Sequence, residues 1–326
     1  MMRVLTSGTG FVCLLLGALF LALCNPGLGA KGSHLNPEYF SEILVVFIFL
    51  IQGMRIKITS LSVILRKPVG SLALQIGLVF LPILGLKVAW FCGLVSEELY
   101  GPLFFAAILP TTITSCVVYT GNVQGNGDYA LGHATFSNLI APFSVPILWA
   151  SSDSLSLSSY LQIFNIISLV IVPCFLGWLS VRIFPRVRSL MRADWLGGLP
   201  MFAIVILVYH SLCDGISILG YPLFGKEVWR VFPASLLFVL LIHLSGWLVA
   251  GRWSKSRDIH VAQFFCLSQK SLATGIPLAS ILFAGLGDNL LRMTMPLFCI
   301  HFLQLILGAA LFQPVRKWVA GEDMSK

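Results

Sequence analysis

The stretch VAQFFCLSQKSLATGIPLASILFAG, Val261–Gly285, decides the fold. It is apolar at both ends and long enough to cross a bilayer, which takes about 20 residues. Yet it carries a lysine, Lys270, close to its middle. An ammonium near a bilayer centre costs about 2.5–3.5 kcal/mol on insertion scales. Either the surroundings offset that cost or the residue has a use. Ser268, Ser271, Thr274, Gly275 and Pro277 crowd the same segment. Pro277 lacks an N–H and leaves the carbonyl of Ala273 without its helical partner. Gly275 lets the backbone open without a side-chain penalty. In lipid, a freed carbonyl must find a donor in protein, water or ligand. The stretch therefore reads as a broken membrane helix lining a polar site.

Composition agrees. Of the 326 residues, 57% are hydrophobic and 10% charged, against roughly 25% charged in soluble domains. The chain is expected to be an all-α polytopic membrane protein, one membrane-embedded domain over 1–326. The net charge of +8 does not point to nucleic acid, because the basic residues are dispersed among short loops. Eight cysteines stand singly, without CxxC or metal spacing. They read as small apolar packers. No metal site, cofactor, P-loop or Ser–His–Asp grouping is legible, so an enzyme is not expected.

Ten apolar runs are expected to span the membrane, at about 5–25, 39–55, 69–94, 99–121, 128–149, 158–183, 197–218, 229–250, 259–286 and 289–313. Arg3, the apolar stretch 11–23 and the small residues Gly27 and Gly29 also fit a cleaved signal peptide; the helix reading is preferred. With the N-terminus inside, 15 of the 21 Lys and Arg fall in cytoplasmic loops or termini. This bias places both termini in the cytoplasm of a plasma or inner membrane. Runs 1–5 (about 1–155) and 6–10 (about 156–326) then face opposite ways, as in an inverted repeat.

The fourth run is interrupted at the place corresponding to the break in the ninth. There the sequence is LPTTITSC, Leu109–Cys116. Pro110 is expected to free the carbonyl of Ala106, with Thr111, Thr112, Thr114 and Ser115 adjacent. Two such breaks in matching helices point to a transporter site at mid-membrane. Gln75, His133 and Asn138 are further intramembrane polar residues. Lone histidines such as His210, His243 and His301 read as packed or hydrogen-bonded residues. Lys87 sits near a helix end and can snorkel.

At IFLIQGMRIK (48–57), LPTTITSCVV (109–118) and CLSQKSLATGIPLASILFAG (266–285) the chain resembles the sodium/bile-acid symporter family, in particular its divergent member-7-like branch. The resemblance covers nearly the whole chain. It implies ten helices in two inverted five-helix repeats, a panel and a core domain, and crossed, broken helices 4 and 9. It also implies ion and substrate contacts. Gln75 matches a sodium-site glutamine and Ser115 a serine, while Cys116 stands where asparagine is usual. Ala134 and Asn138 fall near fifth-helix ligand positions. The family pattern Glu-x-Gly-x-Gln-Asn becomes Cys266, Ser268, Lys270 and Ser271. The acid is gone and a cation has arrived. An ammonium about 4 Å from a sodium ion repels it by roughly 4 kcal/mol at an effective dielectric of 20. Lys270 is therefore expected to replace the coupling ion, and it is a candidate proton carrier. The coupling ion stays open between proton and sodium.

The binding set is thus expected to be Gln75, Thr112, Thr114, Ser115, Cys116, Asn138, Cys266, Ser268, Lys270, Ser271 and Thr274, with breaks at Pro110, Gly275 and Pro277. The expected function is secondary transport of a small organic anion by alternating access. The alternative is a non-transporting membrane regulator of ion homeostasis, calcium included, to which proteins resembling this branch have been linked.

Overall fold

Apolar runs of this length must satisfy every backbone group internally, and the helix does so within one segment. The computed structural model describes residues 8–33, 35, 39–56, 62, 64, 68–151, 157–190, 199–252, 256–283 and 289–321. All regular elements among them are helices. The basic residues Arg3, Lys57, Arg66, Lys67, Arg192, Lys255 and Lys326 of the loop-charge argument lie outside the described residues.

In chain order the helices are α1 (Gly8–Cys24), α2 (Phe40–Met54), α3 (Pro68–Phe91), α4 (Glu97–Ile108), α5 (Ile113–Asn122), α6 (Gly127–Ala150), α7 (Leu157–Ile183), α8 (Pro185–Leu190), α9 (Leu199–Val249), α10 (Arg257–Ser268), α11 (Leu272–Leu282), α12 (Asn289–Ala310) and α13 (Phe312–Ala320). Among the described residues, Pro68–Phe91, Leu199–Ser217, Gly225–Val249 and Leu290–Ala310 are each long and apolar enough to cross a bilayer. The pair α4 and α5, bent by 68°, makes a fifth span if counted as one.

Three features depart from the sequence reading. The loop expected between runs seven and eight shrinks to one residue inside α9. Gly220 takes φ 70° and ψ 158° there, a conformation essentially confined to glycine. Beyond residue 313, where no helix was expected, α13 forms. Its Val315 is buried while Arg316 and Lys317 are exposed. A nine-residue helix is too short to raise an apolar-run signal. The short α8 escaped for the same reason.

Two compact units emerge, each built from three chain segments. The first comprises Met1–Ile56, Pro142–Trp229 and Gly275–Thr294. Within it α2 and α7 approach until only glycine fits. A Cβ on Gly53 would overlap the Cys174 carbonyl, and one on Gly177 would overlap the Leu50 carbonyl. Small residues serve this purpose in membrane helix pairs, where no hydrophobic force draws helices together. Gly53→Val is therefore expected to lower stability by about 1–3 kcal/mol or more, as overpacking does. The melting temperature of the purified protein reads it, and an unchanged value would refute the close approach.

The second unit comprises Lys57–Ala141, Arg230–Thr274 and Met295–Lys326. Its core contains Leu74, Leu78, Tyr119, Val261, Phe264, Phe265 and Leu267. The Tyr119 hydroxyl donates to the Leu305 carbonyl at 3.0 Å. Lys87 is exposed on α3, as a snorkelling lysine should be.

Candidate functional site

The second unit holds two short non-helical stretches. Leu109–Thr112 separates α4 from α5, and Gln269–Ser271 separates α10 from α11. Proline explains the first. Leu109 precedes Pro110 and is extended, with φ −68° and ψ 152°, since the residue before proline is pushed out of the helical region. The carbonyl expected to be freed, that of Ala106, is recovered by the Leu109 N–H at 3.4 Å. The carbonyls left over are those further along the unwound turn.

The second stretch lies earlier than expected. Gly275 and Pro277 are both inside α11, not at a break. The opening at 269–271 has a different cause, a side chain that imitates backbone. Gln304, on α12, accepts the Lys270 N–H at 2.8 Å and donates to the Lys270 carbonyl at 2.8 Å. One amide thus satisfies both main-chain groups that leaving the helix exposes. Ser271 then caps α11, its hydroxyl accepting the Thr274 N–H at 3.2 Å. The two stretches are joined directly, with the Ser271 N–H donating to the Pro110 carbonyl at 2.9 Å.

Lys270 is 0% exposed. Its ammonium donates to the carbonyls of Leu78 at 2.8 Å, Ala107 at 2.7 Å and Leu109 at 3.0 Å. Each carbonyl is available for a local reason. Leu78 would normally bond to residue 82, which is Pro82 inside α3 and has no N–H. Ala107 belongs to the last turn of α4, whose carbonyls have no partner within the helix. Leu109 is in the unwound stretch. The ammonium also meets the negative end of the α4 dipole. An ammonium has three N–H donors, and all three are used. This differs from one expectation: Lys270 keeps no donor for a bound anion. Its role is that of a cation held by carbonyl oxygens.

The other expected residues divide into groups. Asn138 donates to the Thr111 carbonyl at 2.7 Å and accepts from the Thr274 hydroxyl at 2.6 Å, so it ties α6 to the first stretch and to the first turn of α11. Ser115 donates to Gln269 at 3.3 Å and contacts the Thr112 hydroxyl. Ser268 is buried beside Gln269. Thr114 is not in this network; it lies on an exposed side of α5, because one residue along a helix turns a side chain by about 100°. Gln75 is also apart, hydrogen-bonded to the His133 ring at 3.2 Å and to the His133 carbonyl at 3.3 Å. Cys116 and Cys266 face each other, Sγ to Sγ 3.4 Å, both buried. Two thiols are soft groups and suit a hard cation such as sodium poorly.

Sequence reasoning missed Gln304 and Pro82. A single glutamine in the apolar run LFCIHFLQLILG (297–308) was the available signal for the first. For the second it was a proline within the third run. Around the two stretches three buried polar atoms have no hydrogen-bond partner among the described residues: Thr111 Oγ1, Ser268 Oγ and Gln269 Nε2. Buried polar groups are rarely left so.

The model of the SBF-like CPA transporter family matches residues 9–317. Sodium/bile acid cotransporter 7 of Danio rerio is 27% identical over 315 residues, covering 93% of this chain and 92% of that protein. The protein of the same name from Rattus norvegicus is 27% identical over 332 residues, 94% and 92% of the two chains. The putative symporter YfeH of Escherichia coli (strain K12) is 28% identical over 240 residues, 72% and 70%.

Proposed function

We infer the function from one premise: the chain belongs to the SBF-like CPA transporter family. It is a secondary active transporter that carries a small organic anion by alternating access, with Lys270 in the place of a coupling cation. The observation that carries this reading is the ammonium of Lys270 held by three main-chain carbonyls. Carbonyl oxygens arranged around a positive charge resemble the way unwound helices coordinate an ion in transporters. Here the ion is covalently part of the chain.

The reading takes the chain as ten membrane helices in two inverted repeats, about 1–155 and 156–326. α4 with α5 and α10 with α11 are the crossed, broken members. The two compact units correspond to a panel and a core domain. Both termini face the cytoplasm of a plasma or inner membrane, as the loop charges indicate. The anion is received by Gln269 Nε2, the hydroxyls of Thr111 and Ser268, and the positive N-terminal ends of α5 and α11. Sodium dependence, present in the names of several relatives, is not carried over, because two thiols and an ammonium occupy the matching positions.

Proton coupling has a structural route. A neutral amine has two N–H donors for three carbonyls, so loss of the proton must loosen the junction of the two stretches. The regulator reading rests on the same saturation of Lys270, which also suits a permanent structural lock.

Uptake into proteoliposomes tests the proposal, with sodium and proton gradients imposed separately and labelled organic anions as the panel. Uptake driven by protons, indifferent to sodium and absent in Lys270→Ala, is the expected result. Sodium-driven uptake would overturn the substitute-cation assignment. A folded wild type that moves none of the anions under either gradient would favour the regulator.

A further inference from the structure

Away from the Lys270 junction, the second unit has a surface cavity of about 420 Å³, within the range of small-molecule sites. Arg252, Ser256, Arg257, His260 and Trp318 line it. Its aromatic wall, His260 and Trp318, is backed by Trp247. The rings of Trp247, His260 and Trp318 lie 4.7–5.1 Å apart. Arg257 donates to the Trp318 carbonyl at 2.6 Å, and its guanidinium sits 5.2 Å from the Trp318 ring centre. That uses one of five guanidinium donors and fixes the rest. Arg252 spends only its Nε, on the Leu248 carbonyl at 3.3 Å.

Three further features suit an anion. The first turn of α10 opens at the cavity, with Ser256, Arg257 and His260 lining it, so the positive end of its dipole faces that space. His260 Nε2 is buried without a hydrogen-bond partner. Arg316 and Lys317 are exposed on the adjoining α13. The nearby acid, Asp258, is already engaged by Ser256 and by Asn126 at 3.4 Å.

We propose that this cavity binds a phosphate group, carried either by an anionic phospholipid headgroup or by a soluble phosphate ester. Arg252 and Arg257 supply the charge, the α10 N-terminus supplies N–H donors, and Trp318, packed on Trp247, supplies the kind of aromatic surface that membrane interfaces favour. Fork-shaped guanidinium groups suit phosphate oxygens in pairs.

The full chain in nonionic detergent is melted while dioleoylphosphatidylglycerol, dioleoylphosphatidylcholine or inorganic phosphate is titrated. The expected result is a saturable rise in melting temperature with phosphatidylglycerol and no comparable rise with phosphatidylcholine, because a ligand that binds only the folded state stabilises it. A rise with phosphate as well assigns the group to a soluble source; a rise with the lipid alone assigns it to the membrane. In Arg252→Gln/Arg257→Gln the half-saturating concentration should increase roughly thirtyfold, two cations' worth, and in Arg252→Gln alone about fivefold. Arg257→Lys, which keeps the charge and loses the fork, should fall between wild type and Arg257→Gln. Arg252→Gln, at an exposed position, carries the test if the double variant does not fold. No rise with phosphatidylglycerol or phosphate, an equal rise with phosphatidylcholine, or unchanged midpoints in the variants would overturn the site. None of these outcomes depends on transport.

Discussion

Lys270→Met is expected to abolish transport and to remove most of the stability of the second unit. Methionine fills a similar volume but donates nothing. The carbonyls of Leu78, Ala107 and Leu109 would then remain buried without a partner. Each such group costs about 1–3 kcal/mol. The three together approach the whole stability of a typical domain, about 5–15 kcal/mol. Lys270→Arg keeps the charge, but a planar fork cannot meet three converging carbonyls as an ammonium does. It should be intermediate in melting temperature and inactive in uptake. Thermal melting in detergent and proteoliposome uptake read the two effects separately. A Lys270→Met protein as stable as wild type would mean that the carbonyls have other partners, and the cation-substitute reading would fall with it.

Gln304→Leu should have the next largest effect. The replacement is close in volume and removes both bonds to the main chain of Lys270, the acceptor for its N–H and the donor to its carbonyl. Two orphaned backbone groups cost about 2–6 kcal/mol together. Gln304→Glu keeps the acceptor and loses the donor, so its penalty is about half as large before any cost of burying a carboxylate is added. Hydrogen exchange supplies a readout confined to the site. The amides of Lys270, Ser271 and Thr274 should exchange faster in Gln304→Leu, and that of Lys270 less so in Gln304→Glu, which keeps its acceptor, while those of the α2–α7 pair in the first unit keep their protection. Uniform loss of protection would point to general unfolding, and unchanged protection would remove Gln304 from its role as a backbone substitute.

The junction is partly legible in the sequence. Lys270 was visible as a charge in an apolar run, and Pro110 as a break among hydroxyl residues. Both signals are local, because a proline or a charge conflicts with its immediate neighbours whatever surrounds them. Gly275 and Pro277 misled for an instructive reason. A proline several residues into a helix leaves one carbonyl unpaired without forcing the chain to open there. The opening falls where Gln304, more than thirty positions away, can take both main-chain groups of Lys270. Thr114 stands apart from the network because hydroxyls adjacent in sequence turn to different sides of α5.

Composition and apolar periodicity alone established an all-helical membrane protein with polar interruptions in two of its runs, since the bilayer imposes those demands on any chain. Which carbonyls hold the lysine was settled by packing. Leu78, Ala107 and Leu109 come from two separate stretches, and a chain cannot announce which of its unpaired acceptors will meet in space. The same holds for the facing thiols of Cys116 and Cys266 and for the cavity that brings Arg252 and Arg257 to Trp318. Each group's chemistry is written in the residue, but its partner is chosen by distances that close only when the helices pack.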